Sequence, residues 1–158
     1  MKLYMLQPEV AGWVGGNSVI TNLDEIKSGK DKVHEVSHLE YQFDTWLGDE
    51  LLAAYSGFIV TESLAKDLTK AGLTGVKLTD VEISKSDVFK ELYPNRRLPR
   101  FRRLIPEGRV ELDKKHHARK WAGHDFCQTE RAELVVTEQA LNVLKKHKLD
   151  HCEIEELS

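Results

Sequence analysis

Seven histidines and two cysteines are the residues of this chain with the widest chemical repertoire. His116, His117, His124 and Cys127 lie close in sequence, and His147, His151 and Cys152 follow near the C-terminus. Imidazole nitrogens and thiolate sulfurs are zinc donors, normally in sets of four. One His–Cys group and one His–His group match no standard zinc spacing, however. His147 falls where a helix C-terminus is expected, a place where a cation is favourable without any metal. Cys152 alternates with Ile154 in the manner of a core position. No metal and no cofactor is therefore expected. The chain also lacks a G-x-S-x-G elbow, a phosphate-cradling glycine loop and an H-E-x-x-H helix. Gly12, Gly15 and Gly16 stand in a turn-prone stretch without the helix that a dinucleotide site requires. Carboxylates are plentiful, but the sequence places them on solvated faces. No catalytic residue is assigned, and the protein reads as a non-enzyme.

Charge distribution carries more information than the net charge of −3. Residues 96–120 hold ten bases and three acids, a net +7, which leaves −10 on the rest of the chain. Arg96, Arg97, Arg100, Arg102 and Arg103 form the densest part, with Phe101 and Trp121 interleaved. Arginine-rich surfaces of this kind suit either phosphates or an acidic protein partner. A second candidate surface is acidic: Asp44, Asp49 and Glu50, beside Trp46, could mimic phosphate toward a basic cleft. The arginine surface is the preferred partner-binding candidate. A solvated hairpin with internal ion pairs is the competing structural account.

These residues must be positioned by elements that the sequence punctuates clearly. Residues 2–6 read as a short buried strand stopped by Pro8. Val19 and Ile20 suit a strand, whereas residues 23–37 read as a polar loop with a Ser28-Gly29 turn signal. Leu39, Tyr41 and Phe43 alternate with polar residues, the period of a half-buried strand. Asp44 or Thr45 could then cap a helix carrying Trp46, Leu47, Leu51, Leu52 and Tyr55 inward, with Asp49 and Glu50 in water and Gly57 as the stop. Phe58-Ile59-Val60 reads as a strand, and Thr61 as the N-cap of a helix with Leu64, Ala65, Leu68 and Ala71 facing the core.

Residues 76–83 read as a strand, with a phase shift at Thr79-Asp80 that suggests a bulge. Ser84 or Ser86 caps a short helix with Val88, Phe89 and Leu92 inward, stopped by Pro94. An extended segment from Leu98 to Ile105 turns at Pro106-Glu107-Gly108 into a hairpin with Val110 and Leu112. Residues 114–125 read as loop, 131–136 as strand, Thr137 as a second cap, and 151–155 as a last strand. Val60-Thr61-Glu62 recurs as Val136-Thr137-Glu138, and Leu68, Lys70 and Leu73 recur as Leu144, Lys146 and Leu149. The repetition follows from two strand–helix–strand units that use the same capping chemistry, or from a duplication. The expected architecture is one α+β domain over residues 1–158, with a mixed or mainly antiparallel sheet and three to four short helices.

No apolar run approaches the ~20 residues of a membrane span. The opening MKLYMLQPEVAGW has no apolar core or cleavage site of a signal peptide. Two cysteines in such a chain read as reduced thiols. A cytoplasmic protein without membrane contact is expected.

The strings YQFDTWLGDELL, FIVTESLAKDLTKAGLTGVKLTDVEISKS, FKELYPNRRLPRF and ELVVTEQALNVLKKHKLDHCEIEEL resemble the immunity-eleven family of bacterial polymorphic toxin systems, also described by its myxobacterial immunity-protein domain. The likeness runs the length of the chain, with its best matches from Tyr41 to Phe101 and from Glu133 to Leu157, and its poorest from Lys114 to Cys127. It implies a cytoplasmic, non-enzymatic protein. Such a protein binds and neutralises a toxin domain, often a nuclease, encoded beside it. No catalytic residue is implied. The alternatives carried by the residues alone are a nucleic-acid-binding module that uses residues 96–120, and a small hydrolase or metal enzyme built on the His/Cys set.

Overall fold

Two strand–helix–strand units, one in each half of the chain, set the architecture. The computed structural model describes residues 2–30, 34–54 and 57–157. In chain order the elements are β1 (Leu3–Gln7), β2 (Gly12–Val14), β3 (Val19–Ile20), α1 (Leu23–Lys27), β4 (Val36–His38), β5 (Glu40–Phe43) and β6 (Leu51–Ala54). There follow β7 (Gly57–Thr61), α2 (Glu62–Lys70), β8 (Val76–Thr79), β9 (Glu82–Lys85), α3 (Asp87–Leu92) and β10 (Phe101–Pro106). The last third contains β11 (Gly108–Arg109), β12 (Glu111–Leu112), β13 (Ala118–Arg119), β14 (Phe126–Gln128), β15 (Leu134–Thr137), α4 (Glu138–Leu144) and β16 (Glu153–Leu157). The fold is α+β, with mostly antiparallel pairing and four helices among the described residues. No described helix is long and apolar enough to cross a membrane.

The sequence repeat is also a repeat of structure. Of five sheets among the described residues, that of the first unit runs β6-β7-β10-β8 and that of the second β11-β14-β15-β1-β16; a third runs β2-β5-β9, and β3-β4 and β12-β13 are two-stranded. Phe101 pairs with Thr61 and Arg102 with Val60, as Leu3 pairs with Thr137 and Tyr4 with Val136. Leu104 pairs with Leu78 as Leu6 pairs with Ile154. The units match in register, but β10 follows its unit while its counterpart β1 precedes everything else. The second unit is completed by the first strand of the chain, which ties the two ends of the sequence into one sheet.

In each unit a threonine caps the helix. Thr61 Oγ1 accepts from the Leu64 N–H and Thr137 Oγ1 from the Ala140 N–H, each at 3.3 Å. These caps satisfy donors that an α-helix leaves open at its start. Both hydroxyls also donate to a carboxylate at 2.7 Å, Thr61 to Glu50 Oε1 and Thr137 to Asp125 Oδ1. The helices bury Leu64, Ala65 and Leu68, and Ala140, Leu141 and Leu144. All six join one core cluster with Phe58, Val60, Phe126, Leu134 and Val136 from both sheets. Smaller clusters lie on the opposite sheet faces. One is aromatic, around Tyr41, Phe43, Phe89 and Phe101; the other holds Leu3, Met5, Val110, Cys127 and Val135.

Several expectations are corrected. Residues 44–50 form no helix, and Leu51-Leu52 begin β6. Leu51 enters the shared core while Leu52 enters the aromatic cluster, so this apolar pair serves both faces of a buried strand. Tyr55 lies outside the described residues. The expected strand over 76–83 is two strands in different sheets, because at Asp80 and Val81 the chain leaves β10 and β9 pairs parallel with β5. Ser86, not Ser84, caps α3, and of its three apolar residues only Phe89 is buried; Val88 and Leu92 face outward. The expected hairpin after β10 does not form: β11 pairs parallel with β14, and β12 pairs with β13 inside the expected loop 114–125. The expected loop 23–37 holds α1 and most of β4, which pairs with β3; residues 31–33 lie outside the described residues.

Thr61→Ala and Thr137→Ala each remove a cap and a buried partner of a carboxylate. Each is expected to cost about 1–2 kcal/mol. Urea unfolding of the two variants should show similar losses, as matched positions in matched units require.

Candidate functional site

The segment between α3 and β10 is fixed at its start and open along its middle. Pro94 and Asn95 turn after α3, with the Arg96 N–H donating to the Tyr93 carbonyl at 3.1 Å, and residues 96–100 belong to no regular element before β10. Arg96 stacks its guanidinium over Trp46 at 4.8 Å and over Tyr93 at 5.8 Å. Its carbonyl accepts from Lys85 Nζ at 2.9 Å. Such cation–π contacts favour arginine because its planar cation is weakly hydrated. Arg96 is thus a structural anchor. Arg97 and Arg100 are exposed, and neither has a carboxylate partner among the described residues.

β10 then separates the remaining pair, since consecutive strand residues point to opposite faces. Arg102 binds Asp80 at 2.9 Å and the Leu78 carbonyl at 3.4 Å. Arg103 donates to the Val36 carbonyl at 2.7 Å on the other face, its Nε buried without a partner. Burial holds the Arg103 guanidinium below the ordinary arginine range. Of the five arginines of the basic candidate, Arg97, Arg100 and Arg102 share one groove, Arg96 supports it from behind, and Arg103 lies elsewhere. The groove is open, about 960 Å³ in volume. Lys90 and Lys85 extend its basic wall, Val81, Ile83, Leu98 and Phe101 give it an apolar floor, and Glu62 and Asp80 close one side.

The acidic candidate is overturned as a surface. Asp44 is exposed, but Asp49 is fully buried and Glu50 half-buried. The cause is the missing helix. Residues 44–50 cross the body of the protein as a loop whose Gly48 has φ +105°, and a Cβ there would stand 2.7 Å from Lys148 Nζ. Asp49 Oδ2 accepts from the His151 N–H at 2.8 Å and Oδ1 bonds His151 Nδ1 at 2.9 Å. Glu50 accepts from the Thr61 hydroxyl at 2.7 Å, the Lys148 N–H at 3.0 Å and His147 Nδ1 at 3.0 Å. His147 Nε2 reaches Asp67 at 2.7 Å. The two acids expected in water hold the C-terminal turn to the first unit.

The histidines and cysteines disperse. His116 meets Glu155, His117 meets Asp113, and the His124 carbonyl accepts from Trp121. Burial raises the Cys127 thiol, and burial followed by the nearby Asp49 carboxylate pushes Cys152 up to about 11. Neither sulfur is prepared as a nucleophile or a zinc thiolate. Glu9, Asp49 and His151 do converge, with one donor atom from each lying within 4.8 Å of the others. Sequence reading missed Glu9, which follows Pro8 in a segment with no periodic pattern.

No protein-family model matches the chain, and no curated protein is similar to it at a significant level.

His147 makes stability depend on pH in a defined sense. Burial pulls its pKa down, but the hydrogen bonds and charges of Asp67 and Glu50 outweigh this, and the value lies above the ordinary 6.5. A raised folded-state pKa means that the contribution is fully present below about pH 6.5 and is lost as pH rises through the folded value. Glu50 acts in the opposite sense. Burial pushes its pKa up, yet the Lys148 N–H, Thr61 and His147 bring it below 4.5. Its contribution is therefore lost as pH falls through the acid range. Denaturant midpoints of wild type should fall between pH 6 and pH 8.5, and His147→Gln should flatten that fall.

Proposed function

We propose that this protein is an immunity protein, acting in the cytoplasm, that binds and neutralises a bacterial toxin domain by direct contact. The observation that carries the reading is the groove along residues 97–102, where Arg97, Arg100 and Lys90 are exposed without carboxylate partners among the described residues, above an apolar floor. Uncompensated guanidinium groups give fast, steered association with an acidic surface, and arginine with apolar neighbours gives affinity once contact is made. The apolar floor of Val81, Ile83, Leu98 and Phe101 beside the bases suits a protein partner better than a phosphate backbone, to which it contributes nothing. The resemblance of the sequence strings to immunity proteins supports the function and assigns no residues.

The toxin domain would present carboxylates, either a metal-binding active site or an acidic rim, to Arg97 and Arg100. Arg96 and Trp46 would hold the segment in shape before binding, which lowers the cost of ordering it.

The double variant Arg97→Glu/Arg100→Glu is expected to weaken binding at least about tenfold, near 1.4 kcal/mol, with an unchanged melting temperature. Titration calorimetry against the toxin domain encoded beside this chain measures the effect. Unchanged affinity would remove the groove from the interface. Gel shifts with random-sequence RNA and DNA at rising salt test the nucleic-acid alternative. Tight binding that collapses steeply with salt would replace the protein partner by a phosphate backbone.

A further inference from the structure

Glu9 and Asp49 form an electrostatic problem that the protein atoms leave partly unsolved. Asp49 is fully buried and Glu9 is 7% exposed. Their carboxylates meet within 4.8 Å. Two anions so close and so far from water repel each other and lose their hydration, a cost of several kcal/mol per ion unless they are compensated. Both hydrogen bonds of the Asp49 carboxylate among the described residues come from His151. Glu9 Oε2 receives the Leu47 N–H at 2.8 Å. Glu9 Oε1 is buried and has no hydrogen-bond partner among the described residues. Lys148, on the adjoining turn, directs its ammonium at the Leu47 carbonyl at 3.4 Å and at Asp150 at 3.9 Å, and at neither buried acid.

We propose that Glu9, Asp49 and His151 bind a divalent cation of the zinc class. Two carboxylates and one imidazole are a borderline donor set. The nitrogen favours zinc over magnesium or calcium, which prefer oxygen throughout. Zinc at about 2.0–2.2 Å from each donor needs donor atoms roughly 3–4 Å apart. A small adjustment of the triangle suffices, in which the ion replaces the 2.9 Å Asp49–His151 hydrogen bond and any separation up to 4.8 Å closes onto it. His151 can supply it, because 41% of its side chain is exposed while the Asp49 side chain is fixed at 0%. The same exposure gives the ion a path in and leaves room for water in the remaining positions. The orphaned Glu9 oxygen would receive the partner it lacks.

The three donors come from three distant parts of the chain: the segment after β1, the loop before β6 and the turn before β16. A bound ion would clamp the first strand of the chain, the crossing loop and the last turn together. This is a metal site in a place other than the basic groove, and it stands whether or not the groove binds a toxin.

The test uses the full chain stripped with a chelator and then titrated with zinc chloride in equilibrium dialysis and thermal melts. Magnesium chloride and calcium chloride serve as comparators. One zinc per chain is expected, with a melting temperature about 5–10 °C higher at a hundredfold excess over Kd. Neither comparator should produce that rise. Glu9→Gln keeps the shape of the side chain and should abolish the rise. His151→Ala, at a part-exposed position, should lower zinc affinity at least tenfold and keeps the test valid should Glu9→Gln fail to fold. Absence of zinc uptake, or a zinc affinity and a melting-temperature rise that are unchanged in His151→Ala, would overturn the proposal.

Discussion

Glu50 and Asp125 are the carboxylates on which the joining of the two halves depends. Each accepts the hydroxyl of the threonine that caps the helix of its own half. Each also accepts a backbone N–H from the turn after the helix of the other half: Lys148 for Glu50 and Thr74 for Asp125. The backbone repeats the exchange, with the Glu50 N–H donating to the Lys148 carbonyl and the Phe126 N–H to the Thr74 carbonyl. Hydrogen bonds to charged acceptors contribute about 1.5–3 kcal/mol each. Placed reciprocally, they fix the orientation of α2 and α4 relative to each other. The two sides are alike without being identical: the donors Lys148 and Thr74 are not matched positions, and Thr74 also gives Asp125 its hydroxyl at 3.1 Å. His147 joins Glu50 to Asp67, while its counterpart in the first unit is the exposed Ala71. Only one side of the junction gains a histidine.

The same symmetry explains why the arginine cluster of the sequence is not a cluster on the surface. β10 is an inner strand, paired with β7 on one side and β8 on the other. Any charge within it must go to one sheet face or the other. Arg102 goes to the α2 face and Arg103 to the aromatic face, where each finds an acceptor. In the matching strand β1 these positions are Tyr4 and Met5, which need none. Arg97 and Arg100 precede the strand and escape this constraint. Surface charge is therefore set by where the strand begins, which composition along the chain does not reveal.

What the sequence made legible was local. The strand–threonine–helix signals at Thr61 and Thr137 contain their own geometry, since a cap, a following Glu and an apolar stripe are all contained within one turn or two. Tyr41 and Phe43 were equally readable from their alternation. The stretch 44–54 was misread because Trp46, Leu47, Leu51 and Leu52 satisfy a helical face as well as they do a loop followed by a two-faced strand. Only the separate cores that receive Leu51 and Leu52 distinguish the two. The phase shift at Thr79-Asp80 was a true signal of a break, but whether a break is a bulge or a change of sheet depends on a partner strand, β5, far away in sequence. The groove was half legible: the bases were visible, and their division among stacking, pairing and exposure was not. Glu9 carried no signal, because a buried acid is recognised by its surroundings.

Residues 44–50 link these features. The loop gives Asp49 to the buried acidic pair, Glu50 to the junction of the halves, and Trp46 to Arg96. Within it, Trp46 Nε1 donates to the Asp49 carbonyl at 2.9 Å. The residue that is fully buried among carboxylates is thus one hydrogen bond away from the ring that supports the arginine segment. A helix at this place, as the sequence suggests, would point its acids into water and leave Arg96 without a platform. The loop costs the hydrogen bonds of a regular element and recovers them from distant residues such as Ala11, Lys148 and His151. Its conformation is consequently a product of the complete fold. Arg96, which leads into the exposed bases, stacks on a ring whose loop is held from the opposite end of the chain through Asp49 and Glu50.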